Sequence, residues 1–277
     1  MNLSPIRKDI SNKAKQWHKN NCDKNTQLNV SWLEDHVLQL SEMTLIDCLW
    51  IFSNIPKTAG TALEKYLIQA FEMKDIFSIN ADELINLPES IYLKSRYPQF
   101  ISGYHCMHDM LFQLLGDRKI VHLSMMRNPI ERVVSCYNQV ITQDYNLQNV
   151  TSKVTNFDDF INDSMQNVAN GQAKRFAGVS LTENAFSDKE VYFKAKYNID
   201  HCFTLVGVTE FFSQFHKLIA KRCAVTFHDL PPITRLETKV QMANLSPDQM
   251  KIIKKKNKID IQLYQYVRSK FLNIINS

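Results

Sequence analysis

The six cysteines, Cys22, Cys48, Cys106, Cys136, Cys202 and Cys223, stand singly, with no Cys-x-x-Cys spacing and no histidines at zinc-finger intervals. A structural zinc site is therefore not expected, and cysteines inside apolar stretches read as small core residues. Glycine and proline are scarce as well, at 6 and 8 in 277 residues, against 44% hydrophobic residues. That composition excludes fibrous and disordered classes and leaves a globular chain with a sizeable core. The longest hydrophobic run is Cys48-Leu49-Trp50-Ile51-Phe52, far short of the roughly 20 residues a membrane-spanning helix needs. Residues 1–27 are rich in Lys, Asn and Gln and lack the apolar segment of a secretory signal, so a soluble, cytoplasmic protein is expected. Charge of one sign is also in short supply, since 33 Lys and Arg face 28 Asp and Glu for a net of +5. So small an excess favours an anionic ligand over nucleic acid, which needs a pronounced basic stripe.

What is present is an alternation of strand and helix patterns. Residues 49–52 form an apolar run suited to a buried parallel strand. It ends in the turn-like Ser53-Asn54-Ile55-Pro56, after which Leu63, Tyr66, Leu67, Ala70 and Phe71 mark one face of a helix. The succession recurs: residues 119–126 predict a strand, Arg127-Asn128-Pro129 a loop, and Ile130, Val133, Val134, Tyr137, Val140 and Ile141 a helix stripe with Pro129 in its first turn. Residues 203–208 predict a third strand, followed by a helix carrying Phe211, Phe212, Phe215, Leu218 and Ile219. Further helices are predicted near residues 109–115 and 157–168, and Leu230-Pro231-Pro232 predicts a surface loop. Ser246-Pro247-Asp248-Gln249 has the cap, first-turn proline and returning glutamine of a helix start. The lysines at 251, 254, 255, 256 and 258 read as a solvated helix face.

Strands alternating with helices predict an α/β fold, a P-loop-like three-layer α/β/α domain with a mostly parallel central sheet. Residues 1–45 read as a polar lead-in, packed on the main domain or partly mobile, and residues 46–277 as a single domain. Ligands of such sheets bind beyond the carboxyl ends of the strands. Two junctions there carry anion chemistry. In Ile55-Pro56-Lys57-Thr58-Ala59-Gly60-Thr61-Ala62-Leu63, free amides at a helix start suit a phosphate, Gly60 permits close approach, Thr58 and Thr61 offer hydroxyls, and Lys57 supplies charge. It is not a Walker A loop, because Lys57 precedes the only glycine. The second junction, Met126 to Tyr137, offers the Arg127 fork and the Ser135 hydroxyl to another phosphate.

Pro56-Lys57-Thr58-Ala59-Gly60-Thr61 resembles the 5′-phosphosulfate loop of sulfotransferases that use 3′-phosphoadenosine 5′-phosphosulfate (PAPS). Arg127-x-Pro-x-x-Arg132-x-x-Ser135-x-Tyr137 resembles their 3′-phosphate motif. The likeness is to carbohydrate sulfotransferases of the heparan-sulfate 2-O and 6-O type and their bacterial relatives. Weaker likenesses are Gly103-Tyr104-His105, Asn170-x-Gln172-x-x-Arg175, Val206-Gly207-x-Thr209-Glu210 and Asn257-x-x-Asp260-x-x-Leu263-Tyr264. The family often has His directly after the glycine, where this chain has Tyr104.

The resemblance implies transfer of a sulfuryl group from PAPS to a hydroxyl acceptor of the saccharide class, with no metal required. It implies that the amides of Thr58, Ala59, Gly60, Thr61 and Ala62 hold the 5′-phosphate and that Lys57 stabilises the leaving oxygen. Arg127 and Ser135 are expected at the 3′-phosphate, which distinguishes PAPS from ATP. His105 is the expected base, with His108 and then Glu64 behind it, since imidazole titrates near neutral pH. Gln172 and Arg175 are expected to line the acceptor cleft or touch the cofactor, and His122 to be structural. The competing readings are an ATP-dependent kinase-like transferase with an atypical phosphate loop and a non-catalytic nucleotide-binding module.

Overall fold

The longest apolar run becomes the central strand of the protein. The computed structural model describes residues 34–79, 99–103, 118–142, 156–162, 169–179, 186–228 and 240–277. Five strands, β1 (Cys48–Ser53), β2 (Ile76–Ile79), β3 (Phe100–Gly103), β4 (Lys119–Met126) and β5 (Leu205–Val208), form one sheet in the order β2-β3-β1-β4-β5. Every pairing is parallel. All six residues of β1 are buried, as a strand covered on both faces requires. The predicted strand at 119–126 matches β4, whereas β2 and β3 were not anticipated.

The helices are α1 (Gly60–Leu67), α2 (Pro129–Thr142), α3 (Phe157–Asn162), α4 (Gly171–Ala177), α5 (Asp188–His201), α6 (Phe212–Cys223), α7 (Pro247–Lys256) and α8 (Lys258–Asn276). With the sheet they make a three-layer α/β/α domain. Leu63 and Leu67 of α1, Phe215 and Ile219 of α6, and Leu263, Val267 and Phe271 of α8 join the strand residues in the main core. At Gly207 in β5 an added Cβ would fall 2.2 Å from the Phe215 ring, so glycine lets α6 close onto the strand. A second cluster, with Val133, Tyr137, Phe157, Phe160 and Ile253, joins α2, α3 and α7. The helix start at Ser246 is as predicted: Ser246 accepts from the Gln249 amide, the Gln249 side chain returns to the Ser246 amide, and Pro247 opens α7.

The described part of the lead-in, residues 34–45, packs on the main domain. Val37 bridges to Ile120 beside β4, the Leu38 amide donates to the Ile120 carbonyl at 2.8 Å, and Val37 and Met43 belong to the main core. Cys48 and Cys202 are buried free thiols, and burial pushes the Cys202 thiol up to about 12. Among the described residues no helix is long and apolar enough to cross a membrane. The predicted helix near 109–115, the loop at 230–232, residues 163–168 of the predicted helix around 157, and both His105 and His108 lie outside the described residues.

The strand order locates the ligand crevice. After β1 the chain travels toward the β3 and β2 side, and after β4 toward β5. Connections thus leave the adjacent ends of β1 and β4 in opposite directions, which opens a cleft between them. Ser53 and Ser124 are in register there, so the loops starting at Asn54 and Arg127 are neighbours.

Candidate functional site

The loop after β1 is folded tightly by its own groups. The Asn54 amide donates to the Gly103 carbonyl of β3 at 2.7 Å, and the Thr58 hydroxyl donates to the Ile55 carbonyl at 2.8 Å. Lys57 and Ala59 adopt left-handed backbone angles, with φ of 71° and 61°, a conformation that costs about 1–2 kcal/mol for a residue with a side chain. Those turns bring the chain back onto the buried Asn54, and a Cβ on Gly60 would lie 1.8 Å from Asn54 Oδ1. Gly60 is therefore required by a close approach rather than by its own φ.

The same folding narrows the expected anion cradle. The Thr58 amide donates to Ile55 and the Ala62 amide to Ala59, at 3.3 and 3.0 Å. Thr58 is also fully buried, which corrects the expectation that its hydroxyl and amide face a ligand. Among the described residues, the amides of Ala59, Gly60 and Thr61 make no hydrogen bond, and these remain to receive an anion at the start of α1.

Burial pushes the Lys57 ammonium below the ordinary lysine value, Cys136 of α2 opposes the shift, and the Arg127 charge adds to it. In this structure the Arg127 guanidinium pairs with Glu131 one turn along, Nε to Oε2 at 3.3 Å, with both side chains part-exposed. Such a pair is worth about 0–1 kcal/mol, too little to hold Arg127 against a phosphate. Asn128 Oδ1 accepts from the Ile130 and Glu131 amides and so caps α2. Ser135 is half-buried on α2, about two turns into the helix that follows Arg127.

Behind Arg127 lies a buried polar assembly. Gln172 is fully buried; its Oε1 accepts from the Arg127 amide and its Nε2 donates to the Arg127 carbonyl, both at 2.9 Å. This corrects its expected place in the acceptor cleft, because both ends of the amide are engaged with backbone. Arg175 is half-buried and donates to the Gly171 carbonyl at 2.9 Å. Asp260 of α8 accepts from the amides of Gln172 and Ala173 at 3.1 and 2.7 Å, capping α4. Asn170 accepts from the Ile259 and Asp260 amides and caps α8 in return. Burial pushes the Asp260 carboxyl above its ordinary pKa, opposed by the Arg132 charge and by the amides of Ala173 and Gln172. Thr209 donates to the Met126 carbonyl at 2.9 Å, and Tyr264 and Arg268 both donate to Glu210. Three of the scattered motif fragments, those beginning at Asn170, Val206 and Asn257, are thus linked by hydrogen bonds around the end of β4.

His122 is structural. Its Nδ1 lies 2.6 Å from the Cys202 carbonyl, which can only accept, so Nδ1 carries the proton and Nε2 accepts from Ser53 Oγ at 2.8 Å. The buried ring stacks on Phe203 with centroids 3.8 Å apart. Glu64 of α1 accepts from the Ser102 hydroxyl of β3. Gly103 ends β3 beside Ser53. Sequence reasoning missed the pressing of Asn54 on Gly60 and the role of Asp260, whose partner amides lie 88 and 87 residues away and leave no local signal.

A family model described as "Sulfotransferase family" matches residues 47–267, well over half of the chain. No curated protein matches it.

Proposed function

Because the chain belongs to the sulfotransferase family, we propose that it moves the sulfuryl group of PAPS to a hydroxyl acceptor, and that the acceptor is a carbohydrate. The observation carrying this reading is the placement of Lys57 and Arg127 on the two loops that leave the adjacent carboxyl ends of the paired strands β1 and β4, each loop with anion-binding groups. The donor set fits a doubly phosphorylated adenosine: three unengaged amides and an ammonium on one loop, a guanidinium and a hydroxyl on the other.

When bound, PAPS supplies an activated sulfuryl group on a phosphate leaving group. The amides of Ala59, Gly60 and Thr61 would hold the 5′-phosphate, and Lys57 would offset negative charge developing on the leaving oxygen. Arg127 and Ser135 would hold the 3′-phosphate. His105 is proposed to take the acceptor proton, with His108 as the alternative base. Most of the chain's contribution is then positioning and charge stabilisation, by analogy with phosphoryl transfer.

Calorimetric titration with 3′-phosphoadenosine 5′-phosphate and with ATP tests the cofactor. Tighter binding of the former is expected; equal or tighter ATP binding would point to a kinase-like transferase instead. Turnover of labelled PAPS over a panel of defined saccharides and phenols tests the acceptor, and binding without turnover of any acceptor would leave a nucleotide-binding module. Lys57→Ala and His105→Ala are expected to reduce turnover more than nucleotide binding.

A further inference from the structure

Arg127 follows the last residue of β4 and stands two residues before Pro129, the first of α2, so it lies in neither element. The β4–β5 ladder stops at Met126 and Val208. One residue further on, the Gln172 side chain bonds both the amide and the carbonyl of Arg127, and so supplies the next rung that a neighbouring strand would have given. Gln172 is in turn held at its own amide by Asp260, and α4 and α8 exchange side-chain caps through Asp260 and Asn170. Asn257 adds a bond from the Asn170 amide at 3.3 Å. Gln172 and Asp260 are both fully buried.

We infer that Gln172 and Asp260 are positioning residues for 3′-phosphate recognition, with Asp260 fixing Gln172 and Gln172 aiming Arg127 from behind. The inference rests on the proposed PAPS reading and adds to it the buried residues that set selectivity between nucleotides with and without a 3′-phosphate. A chain of hydrogen bonds onto the backbone of a binding residue controls where its side chain starts, and displacements near 1 Å can cost on the order of 100-fold. Among the described residues, Gln172 and Asp260 make no hydrogen bond to the loop after β1, so 5′-phosphate binding is expected to depend on them far less than 3′-phosphate binding.

The test is calorimetric titration of the full chain with 3′-phosphoadenosine 5′-phosphate and with adenosine 5′-phosphate, for wild type, Gln172→Met and Asp260→Asn. Thermal melts check that each variant folds. Folded variants are expected to lose about tenfold or more of the preference for the 3′-phosphorylated nucleotide, with adenosine 5′-phosphate binding unchanged and KM for PAPS raised more than kcat is lowered. Equal binding of both nucleotides by wild type would overturn the cofactor reading itself. A wild-type preference retained in a folded Gln172→Met would overturn the positioning role alone. Loss of affinity for both nucleotides in equal measure, or failure of both variants to fold, would make the assembly purely structural and overturn it too.

Discussion

Gly60 has no room for a side chain. Replacement by Ala drives a methyl into the buried Asn54 side chain, so Gly60→Ala should lower both melting temperature and nucleotide affinity. Asn54→Ala in the same chain should recover part of both losses, and a double-mutant cycle should return a coupling of about 0.5–3 kcal/mol. Arg127 and its partner make a complementary pair of expectations. A charge-assisted hydrogen bond contributes about 1.5–3 kcal/mol, so Arg127→Ala should weaken 3′-phosphoadenosine 5′-phosphate about 10- to 150-fold. Glu131→Gln frees Arg127 from the competing carboxylate and should tighten the same ligand by up to about fivefold. Lys57 sets the alkaline limit. Its pKa is lowered by burial and by Arg127, so the ammonium is lost earlier as pH rises. The alkaline limb of kcat/KM for PAPS should therefore fall below the ordinary lysine value of about 10.4. Lys57 and Arg127 are legible in the sequence because each stands where a strand pattern gives way to a helix pattern. Gln172 and Asp260 stand in motif fragments that the sequence shows, but their roles are not legible there, because those roles consist of bonds to residues 45 and 88 positions away.

Among elements, those whose ends are fixed locally can be read, and those fixed by neighbours cannot. β4 is eight residues long, and α7 opens on a reciprocal Ser246–Gln249 cap, so both announce themselves. β2 and β3 are four residues each and exist through pairing in the sheet. The helix after Gly60 carries its apolar period to Phe71, yet α1 ends at Leu67, tightens through Ile68–Ala70 and leaves Phe71 extended. Phe71 still packs against Trp50 and Phe100; the period marks burial, while the turn type marks the helix end. The joint between α5 and α8 has a pH signature. Desolvation raises the Asp200 pKa, but hydrogen bonds from Lys270, Tyr266 and Lys196 outweigh it and hold the carboxyl below its ordinary value. The folded pKa being depressed, the stabilisation is present above the ordinary carboxylate pKa of about 3.9 and is lost as pH falls through the lower folded value. Denaturant unfolding should show Asp200→Asn less stable than wild type at pH 7, with the gap closing in strong acid. A gap that persists unchanged at low pH would remove the ionic account.

At the scale of the whole molecule, the crevice divides the sheet into two groups, β2-β3-β1 and β4-β5, each contributing one loop. The parallel alternation was readable from the sequence; the order of strands, which makes the two loops neighbours, was not, since it depends on which edge each returning strand joins. A ligand spanning both loops should stabilise the fold more than one confined to the first. At a ligand concentration of 100 times Kd, mass action contributes about 2.7 kcal/mol, which for a chain of this size corresponds to roughly 5–10 °C. Thermal scans with 3′-phosphoadenosine 5′-phosphate should show such a rise, and adenosine 5′-phosphate at the same concentration a smaller one. Arg127→Ala should bring the two responses together by lowering the first to the second. Equal shifts from both nucleotides in wild type would mean that the second loop takes no part, and that the positive ends of β1 and β4 do not serve one ligand.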